Sequence, residues 1–106
     1  MERIYDMIII GGGPAGLSAG IYGGRAKLDV LIIEKENKGG QISLTSEVVN
    51  YPGVFKATGE ELTKEMAKQA VDFGAEIKME NVISPIRILN RFLKFIIRKT
   101  MNLWKL

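Results

Sequence analysis

The chain contains no cysteine and no histidine in its 106 residues. Without cysteine there can be no disulfide framework, thiolate metal site or dithiol redox centre within it. With histidine missing as well, the usual ligands of zinc are gone. Proline is scarce, at three residues, and no apolar run reaches the roughly 18 residues of a membrane-spanning helix. The early apolar stretch is short and leads into glycines instead of a cleavage site, so the cytoplasm is the expected compartment. A chain of this length makes one domain or less, with a modest core.

Acid is also absent from one region. Residues 85–106 carry six Lys or Arg and no Asp or Glu, whereas residues 1–84 carry nine basic against twelve acidic residues. The net charge of +3 therefore comes from the tail, over a body that is itself acidic by −3. Nothing else in the chain supports a nucleic-acid partner.

Glycine is abundant, at twelve residues, and its placement is informative. "RIYDMIIIGGG" is a short aliphatic run ending in glycines, as in a buried parallel strand. "PAGLSAGIYGGRA" follows as a helix, with Pro14 suited to the first helical position and Leu17 and Ile21 one turn apart. "LDVLIIEKE" is a second aliphatic strand ending at Glu34, which completes a βαβ unit. "NKGGQISLTSEVVNYPG" has no helical period and reads as a long loop. "TGEE" at 58–61 matches a capping box, and Leu62, Met66, Ala70 and Phe73 recur at helical spacing before Gly74. "AEIKME" alternates like a third strand.

Gly11, Gly13 and Gly16 form G-x-G-x-x-G directly after a strand and at the start of a helix. The first glycine allows the tight turn, the second lets backbone approach a pyrophosphate, and the third allows close helix–sheet packing. The pyrophosphate then meets N–H groups at the positive end of the helix dipole. Glu34, eighteen residues beyond Gly16, stands where a carboxylate accepts from ribose hydroxyls. A ligand-free glycine turn is the alternative, but strand, helix, Pro14 and Glu34 together favour a dinucleotide. Gly20, Gly23 and Gly24 inside the helix allow two readings, close packing or tolerated drift, each costing up to about 1 kcal/mol relative to Ala. The turn alone does not separate NAD(P) from FAD. "KGGQ" bears on that choice, since a second glycine pair brings more backbone to the cofactor and Gln41 suits the polar edge of a flavin.

"GGGPAG", "IIEK", "KGGQ", "SEVVNYPG", "TGEEL" and "FGAEIKMENV", in this order and with these gaps, resemble the N-terminal FAD-binding portion of bacterial low-molecular-weight thioredoxin reductases. The resemblance covers residues 4 to about 84. The flavoprotein component of alkyl hydroperoxide reductase is similar over the same span and stays open as an alternative. The resemblance implies that Gly11, Gly12, Gly13, Pro14, Ala15 and Gly16 hold the FAD pyrophosphate. It also implies that Glu34 binds the adenosine ribose and that Gly39, Gly40 and Gln41 line the flavin side. Asn50 and Thr45 are further cofactor candidates, with a turn-forming role the alternative for Asn50. Val82 matches a position whose backbone meets the adenine, with a core role as the alternative. Family chemistry, so implied, runs from NADPH to FAD, to an active-site disulfide and on to thioredoxin. A Cys-x-x-Cys pair, a second G-x-G-x-x-G for NADPH and the segment that completes the domain have no counterpart here, so no catalytic residue is assigned. The resemblance leaves room for a homodimer.

From Pro85 the motifs stop. "PIRILNRFLKFIIRKTMNLWKL" reads either as the product of a shifted frame, leaving a truncated reductase, or as a basic amphipathic helix. In the second reading Leu89, Phe92, Leu93, Ile96, Thr100, Leu103 and Trp104 share one face, suited to a membrane surface or a partner. The expected fold is α/β: a partial doubly wound parallel sheet, Rossmann-like, over 1–84, with an atypical basic tail over 85–106. A non-catalytic nucleotide-binding or membrane-surface module is the functional alternative.

Overall fold

The computed structural model describes residues 4–35, 39–80, 85–89 and 92–95, the last two segments by backbone alone. Met7–Ile10 forms β1, Pro14–Arg25 α1 and Val30–Glu34 β2, the expected βαβ unit. α2 spans Gly59–Asp72 and β3 spans Glu76–Met79. The three strands are parallel, with β2 between β1 and β3. Ile9 pairs with Ile32 and Ile32 with Ile77, so one row of aliphatic side chains crosses the sheet. Continuous apolar composition in β2 follows from this position, because a central parallel strand is covered on both faces. Val30, Leu31, Ile32 and Ile33 are all buried. Each such side chain contributes about 1.5–3 kcal/mol relative to exposure.

The sheet sorts its side chains by the two-residue period of the strand. Val30 and Ile32 pack with Leu17 of α1 and with Leu62, Met66 and Ala70 of α2, forming the main core. Leu31 and Ile33 face the other way, with Tyr5 and Ile8. Both helices therefore lie on one side of the sheet and touch each other. Phe73, expected on the same stripe as Leu62, Met66 and Ala70, caps the C-terminus of α2 and is 46% exposed.

The glycines inside α1 serve close packing. A Cβ at Gly20 would stand 2.5 Å from Ile32 Cδ1, and one at Gly23 2.9 Å from Val30 Cγ2. One at Gly24 would stand 2.7 Å from the Phe73 carbonyl oxygen. Three positions thus let the helix axis approach both β2 and the end of α2. Lost helix propensity is exchanged for a shorter helix–sheet distance, and the drift reading fails.

Two departures from expectation occur. Within the loop expected between β2 and α2, Gln41–Leu44 forms a short 3-10 helix. It closes through bonds from Ser43 N–H to the Gly40 carbonyl (3.2 Å) and from Thr45 N–H to the Ile42 carbonyl (2.9 Å). One turn is too short to leave a hydrophobic period. The loop is further tied by single bridges, Val48 to Ala57 and Tyr51 to Val54.

The second departure is in the tail, where one of the two readings was a helix. Pro85–Leu89 and Phe92–Phe95 instead form β4 and β5, an antiparallel pair with Leu89 opposite Phe92. "PIRIL" and "FLKF" are rich in β-branched and aromatic residues, and Ile86 and Ile88 flank Arg87 at the period of a strand. That local period prevails over the longer helical one. The remainder of the proposed helical face, including Trp104, lies outside the described residues. Among the described residues no helix is long and apolar enough to cross a membrane.

Candidate functional site

β1 ends where Gly11 turns. Its φ of 108° is a left-handed value that favours glycine, and its N–H donates to the Ile33 carbonyl at 2.8 Å. The chain then crosses the carboxyl end of the sheet and enters α1 through Gly13. This residue is the N-cap in extended conformation, and no side chain caps the helix. Pro14 has no N–H to leave unsatisfied, and the first turn carries no acidic residue. Gly16 sits directly over the turn: a Cβ there would run into the Gly11 carbonyl oxygen. The helix start is consequently pressed onto the strand end, and such a start carries N–H groups that its own ladder does not use and the positive end of the helix dipole.

Glu34 stands beside this turn. Its Oε2 accepts from Gly12 N–H at 2.7 Å, and its Oε1 accepts from Lys35 N–H at 2.9 Å. Two backbone donors thus orient a half-buried carboxylate at the end of β2. A Cβ at Gly12 would stand 3.1 Å from Glu34 Cβ, so the glycine lets the two strand ends meet.

Gly39 and Gly40 pack against the same turn, both at positive φ, 98° and 70°. A Cβ at Gly40 would stand 3.0 Å from Gly13 Cα, and one at Gly13 would stand 3.6 Å from the Gly39 carbonyl oxygen. Ser43 Oγ donates to the Gly40 carbonyl at 2.6 Å and holds the turn from behind. Two glycine turns from distant parts of the chain therefore run past each other as bare backbone, beside one carboxylate. Bare backbone of this kind can offer main-chain donors to a polyanion, and a carboxylate beside it can accept from a diol.

The expected residues divide accordingly. Gly11, Gly12, Gly13, Pro14, Ala15 and Gly16 form the turn and the helix start, and Glu34, Gly39 and Gly40 gather around it. Gln41 opens the 3-10 helix next to Gly40 and is exposed. Thr45 is exposed, and its carbonyl accepts from Gly59 N–H at 2.8 Å, which commits its backbone to α2. Asn50 is exposed and precedes the Tyr51–Val54 bridge. Val82 lies outside the described residues. Two residues that the motifs did not indicate belong to the setting: Ser43, and Thr63 of α2, buried at 2% exposure against Gly39. The signal for Thr63 was a polar residue on the apolar stripe of α2, one position after Leu62.

Comparison with known proteins agrees with this fold. The family model described as pyridine nucleotide-disulphide oxidoreductase matches residues 5–94. Thioredoxin reductase of Peptoclostridium acidaminophilum is 52% identical over 84 residues, 78% of this chain and 27% of that protein. Among solved structures, thioredoxin reductase of Lactococcus lactis superposes with a TM-score of 0.81 at 34% identity. That match covers 91% of this chain and 31% of the other. Thioredoxin reductase of Giardia duodenalis gives a TM-score of 0.81 at 35% identity, over 92% and 31% of the two chains. The chain spans just over a quarter of the length of the curated relatives it matches, 27% for the first of them. The family match runs past Ser84 into β5, beyond the last of the sequence motifs.

Proposed function

The chain belongs to the pyridine nucleotide-disulphide oxidoreductase family, and from that premise we propose that its βαβ half-domain binds FAD as part of a thioredoxin-reductase-like protein. One observation carries the reading. The uncapped, acid-free start of α1 opens onto two side-chain-free turns, with an oriented carboxylate beside them. FAD fits this donor set: the Gly11–Gly16 turn would hold its pyrophosphate and Glu34 the adenosine ribose. Gly39, Gly40 and Gln41 would continue toward the flavin, with Thr45, Asn50 and Val82 as further candidates. Bound FAD supplies hydride and electron transfer, which no side chain of this protein supplies by itself. This chain's own share is to bind the cofactor and to orient it. The proposed electron path runs from NADPH through FAD to a disulfide and then to thioredoxin. With no cysteine in the chain, that disulfide belongs to other residues. A homodimer and a cytoplasmic setting complete the reading, and the change of charge at residues 84 and 85 marks the proposed boundary of the half-domain.

The test is titration of the purified 106-residue chain with FAD, followed by quenching of flavin fluorescence. The expected result is saturable but weak binding, with little flavin retained through purification. Glu34→Ala is expected to weaken it about tenfold, equivalent to about 1.4 kcal/mol. Absence of any saturable response in the wild-type chain would overturn the assignment.

A further inference from the structure

Thr63 is a buried polar residue on a helix that contributes no residue of its own to the proposed FAD site. Its hydroxyl donates to the Gly59 carbonyl at 2.8 Å and lies 3.3 Å from that of Glu60, so its polarity is satisfied within the first turn of α2. What remains is its shape. A Cβ on Gly39 would run into Thr63 Oγ1 and stand 2.5 Å from Thr63 Cβ and 3.1 Å from Thr63 Cγ2. Gly39 therefore rests with its Cα directly on the branched end of the threonine. Gly40, the next residue, presents its open side to Gly13. The second glycine turn is held between the two helices, with Thr63 beneath it and the N-cap of α1 above it.

α2 is itself fixed at this end. Gly59 is buried, its N–H donates to the Thr45 carbonyl at 2.8 Å, and a Cβ there would run into the Ile42 carbonyl oxygen. The 3-10 helix after Gly40 is therefore seated on the same helical turn that carries Thr63. With both ends of the segment resting on one rigid element, its position is determined by that element.

We infer that Thr63 is a positioning residue: its branched side chain sets how closely Gly39 and Gly40 pack against Gly13, and so sets where the second glycine turn stands in the proposed cofactor site. The functional half of this inference rests on the FAD reading given above; the geometric half does not. This placement matters because main-chain donors act only within hydrogen-bond reach of a ligand.

Thr63→Val keeps the branched shape and loses the hydroxyl, whereas Thr63→Ala leaves a gap beneath Gly39. Met66→Ala removes core volume one turn further along α2 and serves as the control for general loosening. In the ligand-free full chain, the amide resonances of Gly13 and Gly40 are expected to move in Thr63→Ala and to stay in place in Thr63→Val and Met66→Ala. FAD affinity is expected to fall about tenfold in Thr63→Ala and less than about threefold in the other two. Equal shifts in Thr63→Ala and Met66→Ala would overturn the inference, as would displaced resonances with unchanged FAD affinity. If the wild-type chain binds no FAD, the cofactor assignment fails, and the ligand-free resonances still decide whether Thr63 sets the turn.

Discussion

The first turns of α1 and α2 meet the same physical requirement in opposite ways. Any helix begins with N–H groups that its own ladder cannot use. α2 satisfies them internally: Thr58 Oγ1 accepts from Glu61 N–H at 3.0 Å and Glu61 Oε2 accepts from Thr58 N–H at 2.9 Å. Glu60 and Glu61 add negative charge at its positive end. α1 has glycine where α2 has its capping threonine, proline after it and no acid in the turn. One start is closed on itself and the other is held open, within one sheet and on the same side of it. Under the proposed function, the FAD pyrophosphate would take at α1 the place that the Thr58 side chain takes at α2.

This contrast can be attacked from both ends. The largest effect is expected from Gly16→Val, which drives a branched side chain into the Gly11 carbonyl. It should lower unfolding free energy by about 3 kcal/mol or more in a denaturant titration. It should also abolish FAD binding in whatever fraction stays folded. Gly13→Asp comes next, because it gives α1 an acidic cap of its own. Position 13 is extended and has room, with the Gly39 carbonyl 3.6 Å from the new Cβ. Stability is expected to rise by a few tenths of a kcal/mol, while FAD affinity falls at least about tenfold. A gain in both would contradict the open-end reading. Thr58→Ala removes the cap of α2 and should cost about 1 kcal/mol of stability, with FAD affinity lowered less than about threefold. Lys56→Met, which breaks the exposed 2.9 Å pair with Glu47, should change stability by less than about 0.5 kcal/mol.

Much of this architecture is readable from residue order. The βαβ unit is legible because an aliphatic run, a glycine turn with Pro14 and a second aliphatic run each carry their own signal. The α2 cap is legible in four letters, "TGEE". Gly20, Gly23 and Gly24 show the limit: their purpose lies in Ile32, Val30 and Phe73, which are distant in the chain and carry no mark of the contact. Thr63 is the same case in reverse, a single polar letter on an apolar stripe whose reason is Gly39. The helical reading of the tail fails over Pro85–Leu89 and Phe92–Phe95 for another cause. A short segment made mostly of apolar and basic residues satisfies a helical wheel and a strand alternation together, and pairing of Pro85–Leu89 with Phe92–Phe95 decides between them.

The arrangement of the sheet also has a temporal consequence. The bond from Gly12 N–H to Glu34 joins residues 22 positions apart, whereas the 2.8 Å bond from Tyr5 Oη to Glu76 joins residues 71 apart. Closing the longer span costs about 1 kcal/mol more in chain entropy. During synthesis the shorter one can also close as soon as β2 has emerged, before α2 exists. The glycine turn should therefore be assembled early, with β3 joining later. Pulse-labelled hydrogen exchange during refolding should find the amides of Gly11 and Gly12 protected before that of Glu80, which donates to the Glu34 carbonyl at 3.0 Å. A chain built in this order carries its first glycine turn as its oldest structured part.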